Sequence, residues 1–329
     1  MPRLALLTTL TLLAALPALA QADSPLPASA LLSRSGCTTL PAGPLPPRLV
    51  TESVYQSEEL TFDPRGFLVA KKGEALIAVP PVGPTQVISR DPALSTLSLG
   101  LRRAPDGSFL VTQPAVEAGL VARVLRVTRA GQVTEFFTAD QMPPGLPPFI
   151  IPNGLDVDSS GSAWVSDFAT SQLFRVTADH VFTSLVVGPE ADSVGALVYD
   201  EVRAQLFYSS TSGVLRRLSV SATGAPMGSP MVVATLPGAR LDGVTLDACG
   251  NLYVLESNAS LGRYLLWRVV LDGAGNSLGS PVALAQFDDW VSGVQFGGGN
   301  GWDSSSLYVS SIWGKVWRVP VGVGARRRP

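Results

Sequence analysis

Three residues in this chain, Glu58, Asn153 and Asp242, each stand just ahead of an alternating apolar run and carry oxygen donors of the kind that hard divalent cations select. Only Glu58 and Asp242 are charged. A dication held by such a set acts as a Lewis acid on an ester carbonyl, and a carboxylate beside it takes a proton from water. The bland reading is equally coherent: Asn-Gly and Asp-Gly are ordinary turn starters at strand entrances, and a channel metal can be structural. Other chemistries are poorly provided for. His180 is the single histidine, in a polar Ala-Asp-His turn, so a His-rich metal centre is impossible and a Ser-His-Asp triad has only one unconvincing base. No G-x-x-x-x-G-K-[ST] loop is present. The run Gly298-Gly299-Asn300-Gly301-Trp302-Asp303 matches the core of calcium-binding nonapeptide repeats, but a lone copy reads better as a hairpin.

Residues this far apart meet only if the fold brings equivalent positions together. Six copies of one unit do so: EELTFDPRGFLVA from Glu58, LGLRRAPDGSFLV from Leu99, NGLDVDSSGSAWV from Asn153, GALVYDEVRAQLFY from Gly195, DGVTLDACGNLYV from Asp242 and SGVQFGGGNGWDSSSLYV from Ser292. Each is two strands joined by a turn, followed by a third strand with an apolar-Arg-Val theme (Leu125-Arg126-Val127, Trp267-Arg268-Val269, Trp317-Arg318-Val319) and usually a fourth. The spacing is that of propeller repeats. The predicted fold is all-β, a six-bladed β-propeller of four-stranded antiparallel blades. Its first strands line a central channel, so the six leading residues share an axis. The last unit runs out of chain after Val319, and Arg48–Tyr55 is the segment left to supply its fourth strand and close the ring. An open solenoid or a pair of sandwiches is the competing architecture.

The stretches SEELTFD, PNGLDVD and LDGVTLDACGNLYV resemble the blade-leading motifs of the gluconolactonase and senescence-marker-protein (regucalcin) family, and more distantly those of paraoxonases. The resemblance implies one divalent metal, often calcium, on the propeller axis, polarising a lactone carbonyl. It implies Glu58, Asn153 and Asp242 as metal ligands and Asp242 as general base, hence a hydrolase of lactones or related esters acting on a small-molecule substrate. Blade four departs from the pattern, because the second asparagine of that family falls in Ser193-Val194-Gly195-Ala196. Glu59 also stands where that family has glycine. The alternative is a non-catalytic extracellular propeller that binds a small ligand, a glycan or a protein partner.

The remaining features bound the setting. Residues 1–20 read as a signal peptide ending in an A-x-A site, 21–47 as a Pro-rich arm, 48–323 as the propeller and 324–329 as a solvated basic tail. Export to a periplasm or beyond follows, with no integral membrane segment after cleavage. The formal net charge of −2 makes no electrostatic case for nucleic acid. Cys37 and Cys249 form either a disulfide or two free thiols. The proline-rich insertion Ala139–Ile151 either shades a ligand site or serves as a rigid connector. Trp267, Trp313 and Trp317 read as packing residues, and Trp290 as a ligand contact.

Overall fold

The computed structural model describes Cys37 and residues 40–326, apart from 95–96, 117–118 and 238. The predicted signal peptide, the arm up to residue 36 and most of the arginine tail lie outside the described residues.

Local sequence chemistry sets the strand ends. In the turn after the first strand of blade three, Asp158 Oδ1 accepts the N–H groups of Ser160 at 3.0 Å and Ser162 at 2.9 Å, while Gly161 takes φ +81°. Asp247 does the same in blade five, accepting from Cys249 and Asn251, each at 2.8 Å. The carboxylates of these turns are thus consumed locally. The acids free for chemistry lie at the opposite end of the same strands.

The described residues form six antiparallel four-stranded sheets, with helix confined to four short 3-10 turns. Blade one is Leu60–Asp63, Phe67–Lys72, Ala75–Val79 and Gln86–Ser89. The first strands of blades two to six are Leu101–Arg103, Pro152–Val157, Val194–Asp200, Leu241–Leu246 and Gly293–Phe296. Blade six is completed by Arg48–Thr51, which pairs antiparallel with Val316–Pro320 and sets Leu49 opposite Trp317. Pairing continues past the strand, since Val54 N–H donates to Gly314 O and Gln56 N–H to Ile312 O. The ring is closed as expected, with the outer edge of Val316–Pro320 covered by Arg48–Thr51.

Second strands bury both faces, as in Phe109–Gln113 and Leu252–Asn258, because each sheet is sandwiched between two others. The core is accordingly a series of layers between blades rather than one centre. Leu110, Phe136 and Phe137 of blade two pack on Leu155, Val165 and Phe174 of blade three, and Trp302 and Tyr308 of blade six pack on Leu60, Leu68 and Ile77 of blade one. The nonapeptide-like run is the hairpin expected of it: Trp302 Nε1 donates to Gly66 O at 3.1 Å, sealing the joint between first and last blades.

Cys37 and Cys249 are joined in a disulfide across 212 residues. The arm also follows blade five, with Leu45 N–H donating to Leu284 O and Arg268 Nη1 to Pro41 O. Two expectations need correction. Arg326 is not solvated: its Nε lies 2.7 Å from Asp200 Oδ1 and its N–H donates to Leu246 O, so the chain end folds back beneath blades four and five. Trp313 is not a packing residue, because it sits in the turn before Val316 and is 60 % exposed.

Candidate functional site

Blades three, four and five share an irregularity where their first strands begin. Pro152 faces Asp167 but Leu155 faces Val165; Val194 faces Ser210 but Leu197 faces Tyr208; Leu241 faces Glu256 but Val244 faces Val254. Each slip is a β-bulge with one residue too many, and the bulged pairs are Asn153-Gly154, Gly195-Ala196 and Asp242-Gly243. The bulge releases a backbone N–H, which a hydroxyl of the second strand accepts in two cases: Ser166 Oγ from Gly154 at 2.8 Å and Ser209 Oγ from Ala196 at 3.1 Å. Gly243 N–H donates instead to Ser292 O of blade six at 2.9 Å. Glycine is required after the donor residue because adjacent blades touch there. A Cβ on Gly154 would come within 2.8 Å of Ala196 Cα, and one on Gly243 within 2.4 Å of Ser292 O.

These bulges deliver the leading residues to one place. A cavity of about 290 Å³ at the channel mouth is lined by Glu58, Leu99, Asn153, Gly195 and Asp242, five of the six leading positions. The sixth, Ser292, is spent on structure, since its Oγ donates to Glu58 O at 2.9 Å. Ser310 Oγ donates to the same carbonyl at 2.6 Å, and Ser209 Oγ to Asp242 O at 2.6 Å. Hydroxyls of neighbouring blades therefore fix the backbone of both charged residues.

The electrostatics of the mouth are lopsided. Burial pushes the Glu58 carboxyl up to about 7. Asp242 is raised well above the usual carboxylate range, first by burial and then by the negative charge of Glu58, against a smaller opposing pull from Arg240. Neither side chain accepts a hydrogen bond, or makes an ion pair within 4.0 Å, from any described residue. A buried and a half-buried carboxylate that repel one another, with an amide beside them, form a donor set that suits a divalent cation. Among the described residues no three His, Cys, Asp or Glu side chains come together as a cage, so such a site depends on the Asn153 amide.

The two departures in the sequence acquire physical reasons. At Gly195 a Cβ would lie 3.0 Å from Leu241 O and 3.1 Å from Asp242 Oδ1, so blade four gives up a side chain where it meets blade five. Glu59 does not compete with Glu58. It pairs with Arg102 of blade two, whose Nε is also 3.7 Å from Asp156 Oδ1 of blade three, while Asp156 Oδ2 accepts Tyr199 N–H of blade four at 2.9 Å. The insertion before blade three is anchored as a connector, and its end reaches the cavity. Phe149 is buried against Phe137 and Phe174, and Asp167 Oδ2 accepts the N–H groups of Ile150 at 2.7 Å and Ile151 at 2.6 Å, holding Ile151 in the cavity wall. Trp290 also lines the cavity.

Sequence reasoning missed Thr211 and Arg240, both in the cavity wall, and the hydroxyls behind the bulges. A signal for the latter exists: the second strands end in FLVT, AWVS, LFYS and LYVS, a repeated hydroxyl at one position. Thr211 and Arg240 lie in loops outside the repeat, where no periodicity points to them. His180 takes no part, since its Nδ1 is 2.7 Å from Phe136 O in an outer turn.

No protein-family description matches the chain, and no curated protein matches it. Solved structures do. The chain is similar to a structure named provisionally as a gluconolactonase, with TM-score 0.67 and 16 % identity, over 90 % of this chain and 99 % of that one. It is similar to a calcium-binding regucalcin from Agrobacterium tumefaciens, with TM-score 0.64 and 18 % identity, over 87 % and 97 %. It is also similar to a luciferin-regenerating enzyme, with TM-score 0.61 and 17 % identity, over 86 % and 100 %. The chain has the six-bladed propeller fold of these proteins.

Proposed function

We propose that the protein is an exported hydrolase of lactones or related esters that uses a divalent cation, calcium foremost, held by Glu58, Asn153 and Asp242. The observation that carries this reading is the pair of carboxylates, Glu58 buried and Asp242 half-buried, facing one cavity with no cation at ion-pair distance. The likeness in fold to a gluconolactonase and to a calcium-binding regucalcin supports it. The A-x-A leader and the Cys37–Cys249 disulfide support export.

A bound cation supplies Lewis-acid polarisation of the carbonyl. The chain supplies the rest. Asp242 takes a proton from water as the water oxygen bonds to the carbonyl carbon. The ring carbon–oxygen bond then breaks, and that proton passes to the departing ring oxygen, leaving a hydroxy acid. Arg240, at the cavity rim, is the cation available to the new carboxylate.

The test is turnover of a lactone panel by the mature protein with calcium, magnesium, manganese or zinc, and after chelation. Metal-dependent turnover that falls at least a hundredfold in Asp242→Ala is expected, in line with loss of a general base. Turnover indifferent to metal or to Asp242→Ala sinks the reading. A second reading has one observation in its favour, the absence of a donor side chain at Gly195: a non-catalytic propeller that holds a small ligand in the same cavity. A cation that raises the melting temperature with no turnover on any ester would select it.

A further inference from the structure

The cavity has two unlike walls. Its carboxylates come from blades one and five, with Arg240 and Thr211 nearby, whereas Leu97, Leu99 and Val116 of blade two and Ile151 and Phe168 of blade three form an apolar arc. The arc continues outward, since Val116 is 56 % exposed and Ile150, on the strand entrance beside it, 41 %. A polyhydroxylated sugar lactone would bury its hydroxyls against this arc with nothing to bond them, apart from Thr211, Arg240 and the metal donors. An alkyl or aryl substituent would instead remove that surface from water. The cavity is at the small end of the range for ligand sites, roughly 300–1,000 Å³, which suits a single ring with one tail.

We infer that the compound bound here is a carbonyl-bearing ring or ester with an apolar tail, its carbonyl towards Glu58 and Asp242 and its tail along blades two and three. The identity of the head group rests on the hydrolase reading above; the tail rests only on the wall.

Two measurements on the mature full chain separate the claims. The first is kcat/KM, with calcium present, for δ-lactones of increasing alkyl length beside glucono-δ-lactone. The second is calorimetric affinity for the matching alkyl δ-lactams, which resist opening and so report binding without turnover. Lactam affinity is expected to rise roughly fourfold per methylene, the equivalent of about 0.8 kcal/mol, until the cavity fills, with kcat/KM following it. The slope should flatten in Val116→Asn, an exposed position whose change spares the core. Rising lactam affinity with no lactone opened would uphold the tail and end the hydrolase reading. Opening of glucono-δ-lactone at least as fast as the tailed lactones, lactam affinity independent of length, or no lactam binding at all would overturn the inference.

Discussion

At the channel mouth Glu58 and Asp242 face a cavity without a cation at ion-pair distance, whereas one residue further along the chain Glu59 lies against Arg102, which also approaches Asp156 at 3.7 Å. Glu58, Glu59, Arg102 and Asp156 are buried and Asp242 half-buried, and both sets lie near the propeller axis. They differ in whether the charge is answered from within the protein. The Glu59–Arg102–Asp156 group, extended by Tyr199 N–H, stitches blades one to four together and is complete as it stands. The Glu58–Asp242 pair is incomplete, which is the condition of a site that waits for something from solution. Burial of acidic groups by itself therefore does not mark a site; burial without an internal counter-charge does.

The largest effect that tests this contrast is expected from Arg102→Met. It would leave Glu59 and Asp156 buried without their cation and cost about 3–5 kcal/mol, read from urea unfolding. A loss below about 1 kcal/mol would show that the mid-channel group is not structural.

Glu58→Gln should act in the opposite direction in metal-free protein. Because the folded-state carboxyl is raised to about 7 from 4.5, the native state holds its proton more tightly than the unfolded chain does. Wild-type stability should then fall as pH climbs from about 4.5 to about 7 and level off above, a loss on the order of 3 kcal/mol. In chelator, the variant should show a smaller fall, that of Asp242 alone, and melt higher than wild type at pH 8. A wild-type melting temperature flat across this window would count against an unanswered Glu58.

Calcium should reverse the same penalty. At a hundred times its dissociation constant it should stabilise wild type by about 2.7 kcal/mol, and it should do so weakly or not at all in Glu58→Gln or Asn153→Ala. Equal calcium shifts in all three proteins would place the ion elsewhere. The smallest effect is expected from Gly195→Asn, which offers the donor that blade four lacks. Its Cβ must be accommodated 3.1 Å from Asp242 Oδ1, so a gain in calcium affinity of about tenfold or less is expected by calorimetry. A loss would mean that the close approach of blades four and five matters more than an added ligand.

Much of this architecture was readable because it is local. Asp-to-Gly turns, period-two alternation and the apolar-Arg-Val third strands are properties of adjacent residues, so the six units, the four strands in each and the shortfall in the last one followed from spacing alone. The leading positions were readable for the same reason, because a repeat makes Glu58, Asn153 and Asp242 equivalent without any knowledge of contacts. Trp313 shows where that logic slips. It lies beside the Val316–Pro320 strand motif, but its own segment, Ser311-Ile312-Trp313-Gly314, is a turn that places the ring in solvent.

The sequence by itself determined the blade count, the closing strand and the position of the candidate donors, since each depends on interactions within one unit or on counting units. The tertiary structure alone decided that Cys37 reaches Cys249, that Arg326 turns back to Asp200, that Ser292 braces Glu58 rather than joining it in the cavity, and that Glu59 is neutralised while Glu58 is not. Those outcomes turn on contacts between blades, where one ångström of approach decides whether a side chain fits or a charge is paired. No local pattern encodes that distance.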